Sequence, residues 1–86
     1  MTPTAEGDQH VTVRYWAGAR AAAGVASDTV PGRTVAEAVT AAVDLHPALR
    51  AVAGVATFLV DGAAAAQDRV LSPGATIEVL PPFAGG

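Results

Sequence analysis

The chain has 86 residues, a net charge of −3 and an apolar share of 51%, which bounds it to one small domain with enough apolar side chains for a core. It contains no cysteine, so a disulfide framework, a thiolate zinc site and a cysteine nucleophile are excluded. Its five basic residues are all arginines and make no basic patch of the kind nucleic acid requires, and no apolar run reaches the roughly 18–20 residues of a membrane span.

Residues 1–9 are polar and lack both the basic and the apolar region of a signal peptide, so they read as a disordered leader on a cytoplasmic protein. Residues 10–16 alternate, with Val11, Val13 and Tyr15 on one face and Thr12, Arg14 and Trp16 on the other, the period of a half-buried strand. A short alanine-rich helical turn over residues 18–24 follows, stopped by Gly24. Residues 25–30 form a weaker strand, closed by the turn Pro31-Gly32.

Thr34 opens the main helix. Glu37 stands three residues later, the spacing of a capping box in which the hydroxyl serves the third amide and the carboxylate returns to the first. Val35, Ala38, Val39, Ala42 and Val43 then make a single apolar stripe for a sheet to cover. Pro47 ends this helix near Leu45, and residues 47–53 form a further short turn docked by Leu49 and Val52 and stopped at Gly54. Residues 56–60 are a third strand. Asp61-Gly62 has the chemistry of a type I′ hairpin, whose two central residues need positive φ. Residues 63–66 return as a short strand, Ser72-Pro73-Gly74 is another turn, and residues 76–80 are the last strand.

The predicted order is β-β-α-β-β-β with one substantial helix, an α+β roll with no internal repeat or second domain. The first and last strands are the most apolar, as central strands tend to be, so they are expected side by side. Their connection runs through the helix, which makes the pair parallel and the sheet mixed.

The end of the chain, Pro81-Pro82-Phe83-Ala84-Gly85-Gly86, directly follows the last strand. Prolines cannot continue a ladder and stiffen the exit, while two terminal glycines give a thin tip without side chains. A narrow channel that rejects larger residues admits such a tip. The working group expected from this pattern is the C-terminal carboxylate of Gly86, presented by the residues before it.

That layout and tail, with Ala17-Gly18-Ala19-Arg20 after the first strand, the Asp61-Gly62 hairpin, Asp68 and the Pro73-Gly74 turn, resemble the ubiquitin-like β-grasp sulfur carriers of the MoaD/ThiS family. The closest likeness is to the small subunit of molybdopterin synthase, over residues 10–86. The chain departs from the family in having Asp61 where Asn is common, and Ala75 and Thr76 where an acidic pair is usual. The resemblance implies a mixed sheet of four to five strands with one main helix on one face over residues 10–80, and a flexible tail over 81–86.

It further implies that an E1-like adenylyltransferase/sulfurtransferase uses ATP to adenylate Gly86 and that sulfur then replaces the adenylate, leaving a thiocarboxylate. That sulfur passes to a pterin precursor in the large catalytic subunit of molybdopterin synthase, with Pro81, Pro82, Phe83, Ala84 and Gly85 threading the tail into the partner. The chain itself is then not catalytic and binds no cofactor or metal. Thiamine, cysteine or secondary-metabolite synthesis would use the same carrier chemistry. A ubiquitin-like modifier would share the activation and differ in its acceptor, and the absence of lysine excludes chains linked through its own lysine side chains. An inert β-grasp binding module would be indifferent to loss of the glycines.

His10 and His46 show no metal-like spacing with each other or with carboxylates, and His46 is assigned a structural role at a helix C-terminus. Turn chemistry accounts for Asp61 and a solvated loop for Asp68. Strand parity places Arg14, Trp16, Glu78 and Leu80 together on the face the helix does not cover, at the root of the tail. An exposed Trp beside an exposed Leu, with Arg adjacent, reads as a partner interface.

Overall fold

The computed structural model describes residues 9–82. Its elements are β1 (His10–Tyr15), α1 (Ala17–Ala23), β2 (Ser27–Pro31), α2 (Val35–Leu45), α3 (Leu49–Ala53), β3 (Thr57–Val60), β4 (Ala63–Ala65) and β5 (Thr76–Leu80). The strands form one sheet in the order β2-β1-β5-β3-β4. β1 and β5 are parallel neighbours, with Val13 opposite Ile77 and Tyr15 opposite Val79, while the other pairs are antiparallel. The mixed sheet and its central first-and-last pair are those that the apolar pattern implies.

One face of the sheet carries the core. Val11, Val13 and Tyr15 of β1, Phe58 and Val60 of β3, and Ile77 and Val79 of β5 are all buried there. Across from them lie Val35, Ala38 and Ala42 of α2 and Leu49 of α3, with Val39 and Val43 packed at the margin. Fully burying each large aliphatic side chain contributes roughly 1.5–3 kcal/mol. Leu71 and Ala75, from the long connection before β5, complete the cluster.

The strand boundaries shift from those expected. β1 stops at Tyr15, and Trp16 is the extended residue that caps α1. The turn of helix after it is a complete seven-residue α-helix, closed by Gly24 at φ 79°. β2 begins at Ser27, not Val25, and runs through Pro31; Val25 is exposed. Proline is tolerated there because β2 is an edge strand.

Two turn devices behave as local chemistry requires. Asp61 and Gly62 take φ 48° and 91°, and the Asp61 carboxylate also accepts from the Thr76 amide at 3.0 Å. At the start of α2 the Thr34 hydroxyl accepts from the Glu37 amide at 3.2 Å, as a capping box demands. The reciprocal half differs. The Glu37 carboxylate accepts from the Arg33 amide at 2.8 Å, one residue before the cap.

Gln9, assigned to the leader by composition, is fastened to the domain. Its side-chain amide donates to the carbonyls of Gly32 at 3.1 Å and Leu71 at 2.8 Å, and its own carbonyl accepts from the Gly32 amide. The leader expected over the preceding residues lies outside the described residues. Among the described residues, no helix is long and apolar enough to cross a membrane.

Candidate functional site

β5 delivers the chain to Leu80 with support on both sides. β3 pairs Thr57 with Leu80, and on the other flank the Trp16 amide donates to the Val79 carbonyl at 3.3 Å. That bond continues the β1–β5 ladder one residue past the end of β1. Pro81, half-buried, and Pro82, exposed, then leave the sheet without amides to pair. The roles expected for Phe83, Ala84, Gly85 and the Gly86 carboxylate fall outside the described residues.

Arg14, Trp16, Glu78 and Leu80 gather on the sheet face opposite the helices. Arg14 and Glu78 are register partners across the parallel pair. The Arg14 guanidinium stands over the Trp16 ring, 5.0 Å from its centroid, the geometry of a cation–π contact. Trp16 is 38% exposed. Leu80, expected to be exposed, is half-buried, because β3 and the residues after β1 flank it. Trp16, Ala17, Leu80 and Pro81 line an apolar cleft of about 340 Å³ at the point where the tail departs. Ala17 has φ 49°, the left-handed region that costs an L-residue roughly 1–2 kcal/mol. This backbone turn takes the chain abruptly from β1 into α1.

On the inner side of the same strand end sits a cluster that sequence spacing does not reveal. The Tyr15 hydroxyl donates to Asp28 Oδ2 at 2.9 Å, and His46 Nε2 lies 2.7 Å from the same oxygen. The Tyr15 and His46 rings meet edge to face, 6.0 Å between centroids. His46 caps the C-terminus of α2, as its position suggests, but its ring is spent on a carboxylate of β2. Burial, with the Asp28 hydrogen bond and charge behind it, pushes the Tyr15 hydroxyl well above the usual tyrosine range. The arrangement holds β1, β2 and the end of α2 together. Among the described residues, no three His, Cys, Asp or Glu side chains are placed to hold a metal. His10 and Asp68 are exposed and lie apart from the cleft residues.

The ThiS family matches residues 13–86, from the middle of β1 to the last glycine. The chain belongs to the ThiS family. Among solved structures it is similar to SAMP1 from Haloferax volcanii, at 26% identity over 90% of this chain and 99% of that one, with a TM-score of 0.81. It is also similar to small archaeal modifier protein 1 from Methanosarcina acetivorans, at 25% identity over 92% of this chain and 98% of that one, with a TM-score of 0.83. A third likeness is to a chain in the complex of subunits 1 and 2 of molybdopterin-converting factor from Helicobacter pylori 26695. Here identity is 20% over 90% of this chain and 99% of that chain, with a TM-score of 0.67, so the fold alone is shared. No curated protein matches this ThiS-family chain. The architecture is the ubiquitin-like β-grasp common to small carriers and modifiers.

Proposed function

We propose that this ThiS-family protein is a sulfur carrier whose working group is the Gly86 carboxylate, and that it serves molybdopterin synthesis. The observation that carries the reading is that the family match runs through residue 86, tail included.

An α-carboxyl group titrates near roughly 3.5 and is ionised at neutral pH, which makes it a poor electrophile. Attack of its oxygen on the α-phosphorus of ATP, in an E1-like adenylyltransferase, releases pyrophosphate and leaves an acyl adenylate. A sulfide-level nucleophile then forms the C–S bond as the C–O bond to AMP breaks, so that AMP leaves and a thiocarboxylate remains. The carrier's contribution is positional. A stiff Pro81-Pro82 exit from a two-sided strand brings a thin tip to the reacting partner and makes the transfer effectively intramolecular. The face bearing Arg14, Trp16, Glu78 and Leu80 docks the activating enzyme, and the same face then meets a large synthase subunit. The assembly of subunits 1 and 2 in the Helicobacter pylori complex supports that second partner.

A second reading, attachment of Gly86 to lysines of other proteins, is favoured by the likeness to two archaeal modifier proteins. Intact-mass analysis after incubation with an E1-like enzyme, ATP and a sulfur donor separates the two. Exchange of one carboxylate oxygen for sulfur supports the carrier. Covalent adducts on other proteins, without that exchange, support the modifier. A chain lacking Gly86 that still sustains cofactor synthesis in a carrier-deficient strain overturns the carrier reading, and a chain lacking Gly86 that still forms adducts overturns the modifier reading.

A further inference from the structure

The backbone of Trp16 is held from three directions. Its amide donates to Val79, and its carbonyl accepts from the amides of Ala19 at 2.9 Å and Arg20 at 3.4 Å as α1 begins. Ala17, at φ 49°, fixes the turn that follows. What remains free is the rotation of the indole about its side-chain bonds. Trp16 is more than a third exposed, and it walls the cleft with Leu80 and Pro81. An exposed indole without a partner samples several rotamers, and ordering it at an interface costs roughly 0.5–1.5 kcal/mol.

Arg14 meets that need. Glu78 is its register partner across the parallel ladder, yet no ion pair joins the two side chains among the described residues. The guanidinium lies instead over the Trp16 ring. We infer that Arg14 is a positioning residue: it holds the Trp16 indole in the orientation that forms the cleft with Leu80 and Pro81 before any partner arrives. The inference rests on the proposed docking of an activating enzyme at this face and names how one residue serves it. Arginine suits the task because its planar, always-charged group stacks on an aromatic face while remaining weakly hydrated. A pre-set ring spares the ordering cost on binding, so the benefit appears in how long the complex lasts.

The test is a double-mutant cycle on the full chain with an E1-like adenylyltransferase as the binding probe, following Kd, kon and koff. The variants are Arg14→Gln, Arg14→Lys, Trp16→Ala and the Arg14→Gln/Trp16→Ala pair. Arg14→Gln is expected to weaken binding roughly two- to fivefold, matching an exposed cation–π contact of about 0.5–1 kcal/mol at about 1.4 kcal/mol per decade. The change falls in koff and disappears in the Trp16→Ala background. Arg14→Lys restores part of it.

In the free protein, Trp16 is the single tryptophan, so its near-ultraviolet circular dichroism reports ring order directly. Arg14→Gln flattens that signal while the far-ultraviolet spectrum and the melting temperature hold. Equal losses in both backgrounds, or a loss confined to kon and its salt dependence, overturn the inference and make Arg14 a direct or steering contact. An unchanged Trp16 signal overturns it as well. If Trp16→Ala alone leaves Kd untouched, the docking face itself is wrong, and the proposed function loses that part together with this one.

Discussion

The Tyr15 hydroxyl and the Asp28 carboxylate, 2.9 Å apart, tie the inner end of β1 to the edge strand β2 beneath the root of the tail. Tyr15 is 2% exposed, and its hydroxyl is held in the protonated form by burial first and by Asp28 second. The folded state therefore binds this proton more tightly than the unfolded chain, whose tyrosine titrates near about 10. Stability is untouched below that value. It falls as pH rises beyond it, because only the unfolded chain releases the proton. The chain has a single tyrosine and neither lysine nor cysteine, so little else titrates in that window. Chemical denaturation at roughly pH 9 and roughly pH 11 is expected to show the decline, and Tyr15→Phe to remove it. At neutral pH Tyr15→Phe costs about 1.5 kcal/mol, the lower end for a bond to a charged group, because Asp28 keeps His46.

Thr34→Ala removes the hydroxyl that caps α2 and is expected to cost about 0.5–2 kcal/mol. In a domain of this size that is a sizeable part of the total. Activity per folded molecule is unchanged, since the cap lies far along the chain from the tail root. A thermal melt without a shift would assign the helix start to the Glu37–Arg33 bond instead.

Gly32 is buried where the turn after β2 passes the main helix. A Cβ there would lie 2.8 Å from the Ala38 amide nitrogen and 2.9 Å from its Cα. Backbone atoms cannot yield as the end of a side chain can, so α2 must shift on the sheet. Gly32→Ala is expected to destabilise by about 1–3 kcal/mol, the range for overpacking. The comparison is Gly18→Ala, where a Cβ meets nothing within 4 Å. Unfolding free energies of the two variants, from chemical denaturation, should differ by most of that amount.

Trp16→Ala separates docking from folding. The indole contributes little to the core, so the melting temperature is expected to change little. Burying a large apolar side chain in an interface yields roughly 1.5–3 kcal/mol, and about 1.4 kcal/mol is a decade. Affinity for an E1-like adenylyltransferase is therefore expected to fall at least tenfold, measured by calorimetry or by adenylate formation. A collapsed melting temperature with normal affinity per folded molecule would show the indole to be a structural element and leave the docking to other residues.

Features written in neighbouring residues are legible before the chain folds. The alternation Val11, Val13, Tyr15 fixes which side chains of β1 face the core, because strand period is two. The Thr34 hydroxyl cap, Asp61 with Gly62, and Gly24 each carry their own backbone requirement and fold accordingly, while the Glu37 carboxylate turns to the Arg33 amide one residue before the cap. The Pro-Pro-Phe-Ala-Gly-Gly end, on which the proposed carrier role rests, lies within the family match.

Contacts between residues distant in the chain are settled by tertiary packing. Asp28 lies 13 residues from Tyr15 and 18 from His46, and no local spacing couples them. Gln9 reads as leader because its partner carbonyls, at Gly32 and Leu71, belong to the surface that the folded chain assembles. The left-handed Ala17 has no signal in its residue type, since alanine resists that conformation and adopts it here where β1 turns into α1. Nor does parity reveal that Arg14 turns from Glu78 to Trp16, a choice set by side-chain geometry across the sheet face. Local chemistry specifies elements and turns; long-range packing, which exists only after the chain closes, specifies which side chains meet.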